Sequence, residues 1–576
     1  MSKTWQELFE HWNNDANLEA DLKAELLTMD DAQKEDAFYT NLEFGTAGMR
    51  GVMGAGTNRM NIYTIRKAND GFARYIAAHG EEAKKRGIVI AYDCRHHSKE
   101  FALESAKVMA SYGVKAYVFE ELRPTPELSF AVRHLHAFAG IVITASHNPK
   151  QYNGYKIYDQ TGCQCIPEEA AKVVALVNEV EDELTLEVDE LAVYQEQGLI
   201  EFIGENIDAP YNEAVVNIKI NDVPKDEVVV VFSPQHGTAH KPVMRALETL
   251  GYAHIHEVAE QAEPNGDFPT VKLPNPEDKE AFTLAIELGK KVNADVLLAT
   301  DPDADRLGLA VRNNEGEYEL LNGNVTGALT FYYIVSQRKA HGTLPVNPVM
   351  FTTVVSSDFA KVIADKYDVS TEHTLTGFKF IGDRIAHYEQ TRTKNFVFGF
   401  EESYGSLIDA TIARDKDAPQ AVVMAVEMAA FYKAQGKSLL DVLEDLYQEF
   451  GYFREDLINI SLAGIAGAQK IKSIMEYVAN NHFTTIADMN VVQVDDFIQS
   501  ISFAEGKQTP ITLPKAEVLK FYLEDGSWFC LRPSGTEPKA KVYISVRSTT
   551  EAEAQALINA IRKDVMAIVQ PIIDQD

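Results

Sequence analysis

Cysteine is scarce: the 576-residue chain has four, Cys94, Cys163, Cys165 and Cys530. Their spacing builds no disulfide framework, and Cys163-Gln-Cys165 has too few partners for a soft-metal site, which suits a reducing compartment. Long apolar runs are missing too. No stretch of about 18 apolar residues marks a membrane span. The opening MSKTWQELFEHWNNDANLEADLKAELL is polar and acidic with a weak helical period, unlike a signal peptide. A cytoplasmic protein with no membrane partner is expected. Basic residues are outnumbered, 54 Lys and Arg against 86 Asp and Glu, for a formal charge of -32. That balance argues against nucleic acid and anionic lipid as partners, while leaving room for a small basic cleft. Two further signatures are absent. No GxSxG surrounds any candidate serine here, and the glycines at 45, 48, 51, 54 and 56 do not make the GxGxxG of a dinucleotide fold.

What is present is length, enough apolar content for three to five domains (45% hydrophobic) and a repeated rhythm. Strands are predicted over 87–93, 114–119 and 141–144, alternating with helices over 100–112 and 128–136. The same alternation returns with strands over 228–232, 253–258 and 295–300 and helices over 242–250 and 281–291. A third round has helices over 325–338 and 358–366 and strands over 349–355 and 395–399. This is an α/β pattern with mostly parallel strands. Each round ends in a polar loop just past a late apolar strand, where ligands sit in such sheets. The last part differs, with helices over 438–448, 470–480 and 551–568 and strands over 520–523 and 541–546. The expected fold class is three tandem related α/β domains with mixed sheets (1–205, 206–322 and 323–455) plus a smaller α+β C-terminal domain (456–576), around a central cleft.

The first loop reads ITASHNPKQYNGYK. Ser146 is either a nucleophile or an ordinary turn serine. His147 is its neighbour, and adjacent side chains on extended backbone point apart, which weakens a Ser-His dyad; His147 is either a phosphate donor or a turn residue. The second loop is sharper. Asp301, Asp303 and Asp305 alternate, and three hard oxygen ligands favour Mg²⁺ if the loop bends. An EF-hand is ruled out, because Arg306 and Arg312 stand where it needs Gly and Glu. A cation beside a phosphorylated serine would account for both loops. Arg50, among flexible glycines, reads as a phosphate ligand or a structural arginine. Arg532, Ser534, Gly535 and Thr536 resemble an anion nest or a tight turn. Lys379, Glu401 and Ser403 suit sugar hydroxyls and phosphate, but such residues are also common on surfaces.

Taken together, TASHNPKQYNGYK, DPDADR, TLTGFKFIG, GFEESYG and RPSGTEPK resemble the α-D-phosphohexomutase superfamily, in the pattern of the longer bacterial α-phosphoglucomutase branch of the phosphoglucomutase/phosphomannomutase family. The resemblance spans nearly the whole chain in order. It implies that Ser146 is the phosphoserine and that Asp301, Asp303 and Asp305 hold one Mg²⁺ per subunit beside its phosphate, Ser146 completing the metal set. It places Arg50, His147, Lys156 and Arg306 around phosphoryl transfer, Glu401 and Ser403 on the sugar with Lys379 in the preceding loop, and Arg532, Ser534, Gly535 and Thr536 on a second phosphate. Some relatives have a histidine after Glu-x-Ser-Gly, but Tyr404-Gly405 stands here. Lys416, in Arg414-Asp-Lys416-Asp417, matches a lysine of the glucose-selective branch, with Arg414 beside it on the substrate side. The implied reaction interconverts α-D-glucose 1-phosphate and glucose 6-phosphate, with glucose 1,6-bisphosphate as intermediate and activator. Mannose, glucosamine and pentose phosphates stay open as substrates. A phosphatase and a noncatalytic sugar-phosphate sensor stay open as other functions, and the general base lies between Lys156, an Asp ligand and a further residue. Small hexose phosphates are the partners implied; oligomeric state is left open.

Overall fold

The computed structural model describes residues 4–45, 48–462, 464–481, 483–534 and 539–574. The chain divides into two compact units, Met1–Val349 with Phe378–Ser438, and Met350–Gly377 with Leu439–Asp576.

The first unit holds two mixed sheets. In the first, β1 (Met49–Val52), β2 (Ile88–Tyr92), β3 (Ala116–Phe119), β4 (Ala139–Ile143), β5 (Tyr152–Tyr158) and β6 (Ile200–Ile203) lie in the order β1-β5-β4-β2-β3-β6. The strands β4, β2, β3 and β6 run parallel, while β5 pairs antiparallel with both β4 and β1. Strand β2 is apolar throughout because both its faces are covered, as expected for parallel strands. Ile88, Ile90 and Tyr92 join one core, and Val89 and Ala91 the other. Ile141 and Ile143 of β4 face the first core and Val142 the second, the period of two that a strand imposes.

The second sheet contains β7 (Val229–Ser233), β8 (His254–Glu257), β9 (Val296–Thr300), β10 (Leu307–Arg312) and β11 (Tyr318–Leu321) in the order β11-β10-β9-β7-β8. Again three neighbouring strands, β8, β7 and β9, are parallel, and β10 turns back antiparallel to β9. A third copy of this device is the hairpin of strands Asn395–Phe400 and Ser406–Leu407. The buried helix Ala418–Lys433 follows it, capped by Asp417, whose Oδ1 accepts from Gln420 N at 2.9 Å. Pro419 sits in its first turn, where no N–H is needed.

The second unit carries an antiparallel sheet in the order Tyr452–Ser461, Lys539–Ser548, Trp528–Pro533, Leu519–Leu523, Met489–Asp496, Ile501–Ala504 and Lys507–Pro510. Helices Gly464–Asn480 and Glu551–Ile573 bury Ile471, Ile474, Ile558, Ile561 and Val565 in a common core with the sheet residues Phe521, Phe529 and Val542. This is the α+β domain expected of the C-terminal part. The strand Trp528–Pro533 was not among the predicted ones; its apolar residues are followed at once by Arg-Pro-Ser-Gly, a turn signal that masks a short strand. Lys520, on the alternate positions of its strand, is buried, donates to Val354 O at 2.8 Å and lies 3.8 Å from the Trp528 ring centroid. Among the described residues, no helix is long and apolar enough to cross a membrane.

Candidate active site

Three hairpin loops of the first unit carry the chemistry-bearing residues. Ile143 of β4 faces Tyr155 of β5 across the Ser146 loop. Thr300 of β9 faces Leu307 of β10 across the aspartate loop, and Phe400 faces Ser406 across Glu401 to Gly405. Each loop contains a non-glycine residue in the left-handed region: Ser146 at φ 51°, Ala304 at φ 54° and Tyr404 at φ 70°. Such backbone costs an L residue about 1–2 kcal/mol and persists where surrounding bonds over-determine it. Ser146 N donates to Thr144 Oγ1 at 2.8 Å, and Ala304 N to Asp301 O at 3.0 Å. The loops are also stitched to one another. Leu307 N donates to Tyr404 O at 3.0 Å, Ala418 N donates to Ala304 O at 3.1 Å, and Arg306 bridges Gly405.

Ser146 Oγ donates to Asp301 Oδ2 at 2.6 Å and lies 3.2 Å from His147 Nδ1. The second contact corrects the expectation that the two side chains point apart: that holds for extended backbone, and Ser146 is left-handed. Burial, and then Arg306, push the imidazole of His147 well below its usual pKa, so it is neutral. The serine loop is held from beneath by Arg95, which sequence reasoning missed. Its guanidinium donates to the carbonyls of Ser146 (2.6 Å), Asn148 (2.5 Å), Pro149 (2.9 Å) and Tyr152 (3.0 Å) and pairs with Asp93 at 3.2 Å. Arg95→Met keeps much of the bulk and removes every donor. Since breaking a buried charge pair costs about 3–5 kcal/mol, we expect a lowered urea midpoint together with a large loss of turnover. Unchanged values of both would refute the bracing role.

Ligand oxygens of Asp301, Asp303 and Asp305 lie within 4.8 Å of one another, and all three residues are buried. Asp301 Oδ1 is engaged by the backbone N–H groups of Asp305 (3.1 Å) and Arg306 (3.0 Å). Asp303 Oδ2 accepts from Lys156 Nζ at 3.1 Å, and Asp305 Oδ2 pairs with Lys416 Nζ at 3.0 Å. The remaining oxygens, Asp303 Oδ1 and Asp305 Oδ1, are buried with no hydrogen-bond partner. A buried orphan carboxylate oxygen is unfavourable unless a cation meets it, so this donor set fits a hard divalent ion such as Mg²⁺.

The electrostatics agree. Burial, then its two neighbouring aspartates, raise the Asp301 carboxyl well above the usual range, which is what crowded carboxylates do without a counter-ion. Against the effect of burial, Asp303 and Asp305 raise Lys156, and Asp305 and Asp415 raise Lys416, so both ammonium groups are charged. Lys156 is thus a donor in this charge arrangement rather than a ready base. Gly405 explains how Lys416 gets there. A Cβ on that glycine would stand 1.9 Å from Lys416 Cδ, so the lysine stem occupies the room a side chain would need.

Family comparison bears directly on this constellation. Models of phosphoglucomutase/phosphomannomutase α/β/α domains I, II and III match residues 41–184, 209–316 and 322–450, and the model of the C-terminal domain matches 471–564. A phosphoglucomutase of Staphylococcus epidermidis is 39% identical over 516 residues, covering 89% of this chain and 92% of its own. The chain belongs to the phosphoglucomutase/phosphomannomutase family. A phosphoglucomutase of Staphylococcus aureus is 38% identical over 533 residues, covering 92% of this chain and 94% of its own. The fold is shared with the crystal structures of a Burkholderia thailandensis family protein (TM-score 0.63, 16% identity, 91% of this chain and 97% of that one) and of Paramecium parafusin (TM-score 0.65, 16% identity, 92% and 95%). Three α/β domains and a C-terminal domain are therefore present. The protein is an isomerase that carries out a phosphohexomutase-type reaction on a small sugar phosphate.

In this family member the other predicted residues fall in different settings. Arg50 is exposed on β1, and its Nη1 donates to Asn148 Oδ1 of the serine loop at 3.3 Å. Arg306 is braced by Glu277 Oε1 at 2.7 Å. Glu401 is buried at the start of its loop, its N–H bonded to Gly405 O at 2.9 Å, and Ser403 is half-buried within the same loop. Lys379 is buried in the first turn of helix Phe378–Thr391, its Nζ 5.5 Å from the Phe380 ring centroid. Arg414 departs from its expected substrate contact. Its side chain is 1% exposed, donates to Ala410 O at 3.0 Å and pairs with Glu389 at 2.5 Å, so it holds the segment that presents Lys416. Asp415 next to it accepts from Tyr158 OH at 2.7 Å. In the second unit, Arg532 lies next to the end of its strand, opposite Lys541, and Ser534 N donates to Lys539 O at 2.7 Å, which closes the hairpin. Gly535 and Thr536 lie outside the described residues.

Proposed function

We propose that the protein interconverts α-D-glucose 1-phosphate and α-D-glucose 6-phosphate, with Ser146 as the phosphoryl carrier. The observation that carries this reading is the Ser146 hydroxyl seated 2.6 Å from Asp301 Oδ2, on the edge of a buried aspartate triad ringed by Lys156, Lys416 and Arg306. His147 Nδ1 lies 3.2 Å from the serine, but the hydroxyl donates to Asp301 of the aspartate triad at 2.6 Å, which supports a phosphoryl carrier over a Ser-His nucleophile. The glucose assignment is supported by the staphylococcal relatives, whose names are phosphoglucomutase, and by the Glu401-Glu-Ser403-Tyr-Gly405 loop with Lys416.

In the first half-reaction the 6-hydroxyl oxygen of glucose 1-phosphate attacks the phosphorus on Ser146. An O6–P bond forms as the Oγ–P bond breaks, the hydroxyl proton leaves to a base, and Oγ is reprotonated when the serine is freed. The resulting glucose 1,6-bisphosphate turns over and its 1-phosphate is returned to Oγ by the reverse of the same step. Mg²⁺ held by Asp301, Asp303, Asp305 and the serine's phosphate would supply Lewis-acid charge stabilisation. Lys156, Lys416 and Arg306 contribute fixed positive charge at the transferring group, and neutral His147 an N–H. Glu401 and Ser403 are assigned to sugar hydroxyls, and Arg50 to phosphate. Arg532 and Ser534, with Gly535 and Thr536, are assigned to the phosphate that is not reacting.

A side-by-side assay with labelled glucose, mannose, glucosamine and ribose 1-phosphates, primed with glucose 1,6-bisphosphate, tests this. Glucose 1-phosphate is expected to show a kcat/KM at least about tenfold above the others, the scale of 1.4 kcal/mol of differential transition-state binding. Little label should appear as free phosphate. Preference for another sugar would overturn the substrate, and predominant free phosphate would overturn the mutase reaction.

A further inference from the structure

The helix Thr125–His134 begins against the aspartate loop. Its first residue, Thr125, is fully buried and holds Asp303 at two points. The backbone N–H donates to the Asp303 carbonyl at 2.9 Å, and the hydroxyl donates to carboxylate Oδ2 at 3.0 Å. Thr125 is flanked by Pro124 and Pro126, which have no N–H, so within this tripeptide the threonine alone can make the backbone bond. The first N–H groups of a helix lack intrahelical acceptors, and this one finds its acceptor in the aspartate loop.

The hydroxyl is the more consequential contact. Lys156 Nζ already donates to Asp303 Oδ2 at 3.1 Å, so Oδ2 has two donors from two different elements, while Oδ1 is buried and has none. A carboxylate gripped on one oxygen from two directions cannot rotate freely about its Cβ–Cγ bond. We propose that Thr125 is a positioning residue of the metal centre: its hydroxyl fixes the rotation of the Asp303 carboxylate so that Oδ1, and not Oδ2, is delivered to the cation. The inference rests on the metal reading of the aspartate triad. Partners that orient metal ligands are worth about 10–100-fold in metal affinity.

Mn²⁺ titrated into the dephosphorylated, sugar-free protein and followed by electron paramagnetic resonance tests it, with thermal melting of the metal-free protein alongside. Thr125→Val keeps the shape and the backbone bond but removes the hydroxyl; Thr125→Ser keeps the hydroxyl and removes the methyl. We expect Thr125→Val to weaken Mn²⁺ by about tenfold or more and Thr125→Ser to stay within about threefold of wild type. Thr125→Val within twofold of wild type would overturn the proposal, and so would equal weakening by both variants, since packing would then be the cause. If Thr125→Val does not fold, Thr125→Ala against Thr125→Ser gives the same comparison. Wild-type protein that takes up no Mn²⁺ would overturn the metal reading, and this inference with it, which separates the two failures.

Discussion

Ser146→Ala is expected to lower mutase turnover by at least about 10⁴-fold, because a group-transfer cycle without its carrier keeps only binding and charge stabilisation. The variant is a clean probe for structural reasons. The bond from residue 146 N to Thr144 Oγ1 is a backbone donor and survives, as do the Arg95 contacts to the loop carbonyls. What is lost is the hydroxyl at Asp301 Oδ2, and leaving one more buried acceptor unmet costs about 1–3 kcal/mol. A modest fall in melting temperature should thus accompany a near-complete loss of flux. Intact-mass measurement should show a phosphoryl increment on wild type after incubation with glucose 1,6-bisphosphate and none on the variant. Wild-type flux from Ser146→Ala would sink the carrier role whatever the state of the fold.

Chelation is the second large effect. Stripping divalent cations with EDTA should reduce turnover by about 10³-fold, equivalent to roughly 4 kcal/mol of lost transition-state stabilisation, with recovery on adding Mg²⁺. Stability should move in the same direction. The triad keeps two carboxylate oxygens buried without hydrogen bonds and drives the Asp301 carboxyl upward, both of which a cation relieves. A cation that binds only the folded protein at 100 times its dissociation constant adds about 2.7 kcal/mol. Saturating Mg²⁺ is therefore expected to raise the melting temperature of wild type, and to do so far less for Asp303→Asn or Asp305→Asn. Full activity in EDTA would refute a metal-dependent transfer. A Mg²⁺-induced shift that persists in the aspartate variants would place the ion somewhere else.

The glycine at 405 makes room for Lys416. A Cβ there would stand 1.9 Å from Lys416 Cδ, so a side chain at 405 and this path of the lysine stem cannot share the space. Asp415 and Arg414 tie the lysine's segment to Tyr158, Glu389 and Ala410 O. Arg414, which the resemblance sets on the substrate side, is 1% exposed and bonded to Ala410 O and Glu389.

Much of this protein is legible in its sequence alone. The continuous apolar runs of β2 and β4, the turn-rich serine loop and the spacing of Asp301, Asp303 and Asp305 are local signals, carried by residue type and period, and they point to the α/β class, the order of the motifs and the hard-metal preference. Other features are properties of closure. That Ser146 is left-handed, and so brings its hydroxyl within 3.2 Å of His147 Nδ1, depends on a backbone dihedral that residue type does not dictate. That Lys156 and Thr125 meet on one oxygen of Asp303, 147 and 178 positions away, depends on the packing of separate sheets. Arg95 gathers four carbonyls from a loop more than fifty positions on. A sequence can state which groups are available for a cation and a phosphate. Which oxygen is occupied, and which is left open for chemistry, is decided only when distant elements close on one another and each buried polar atom has to find its partner.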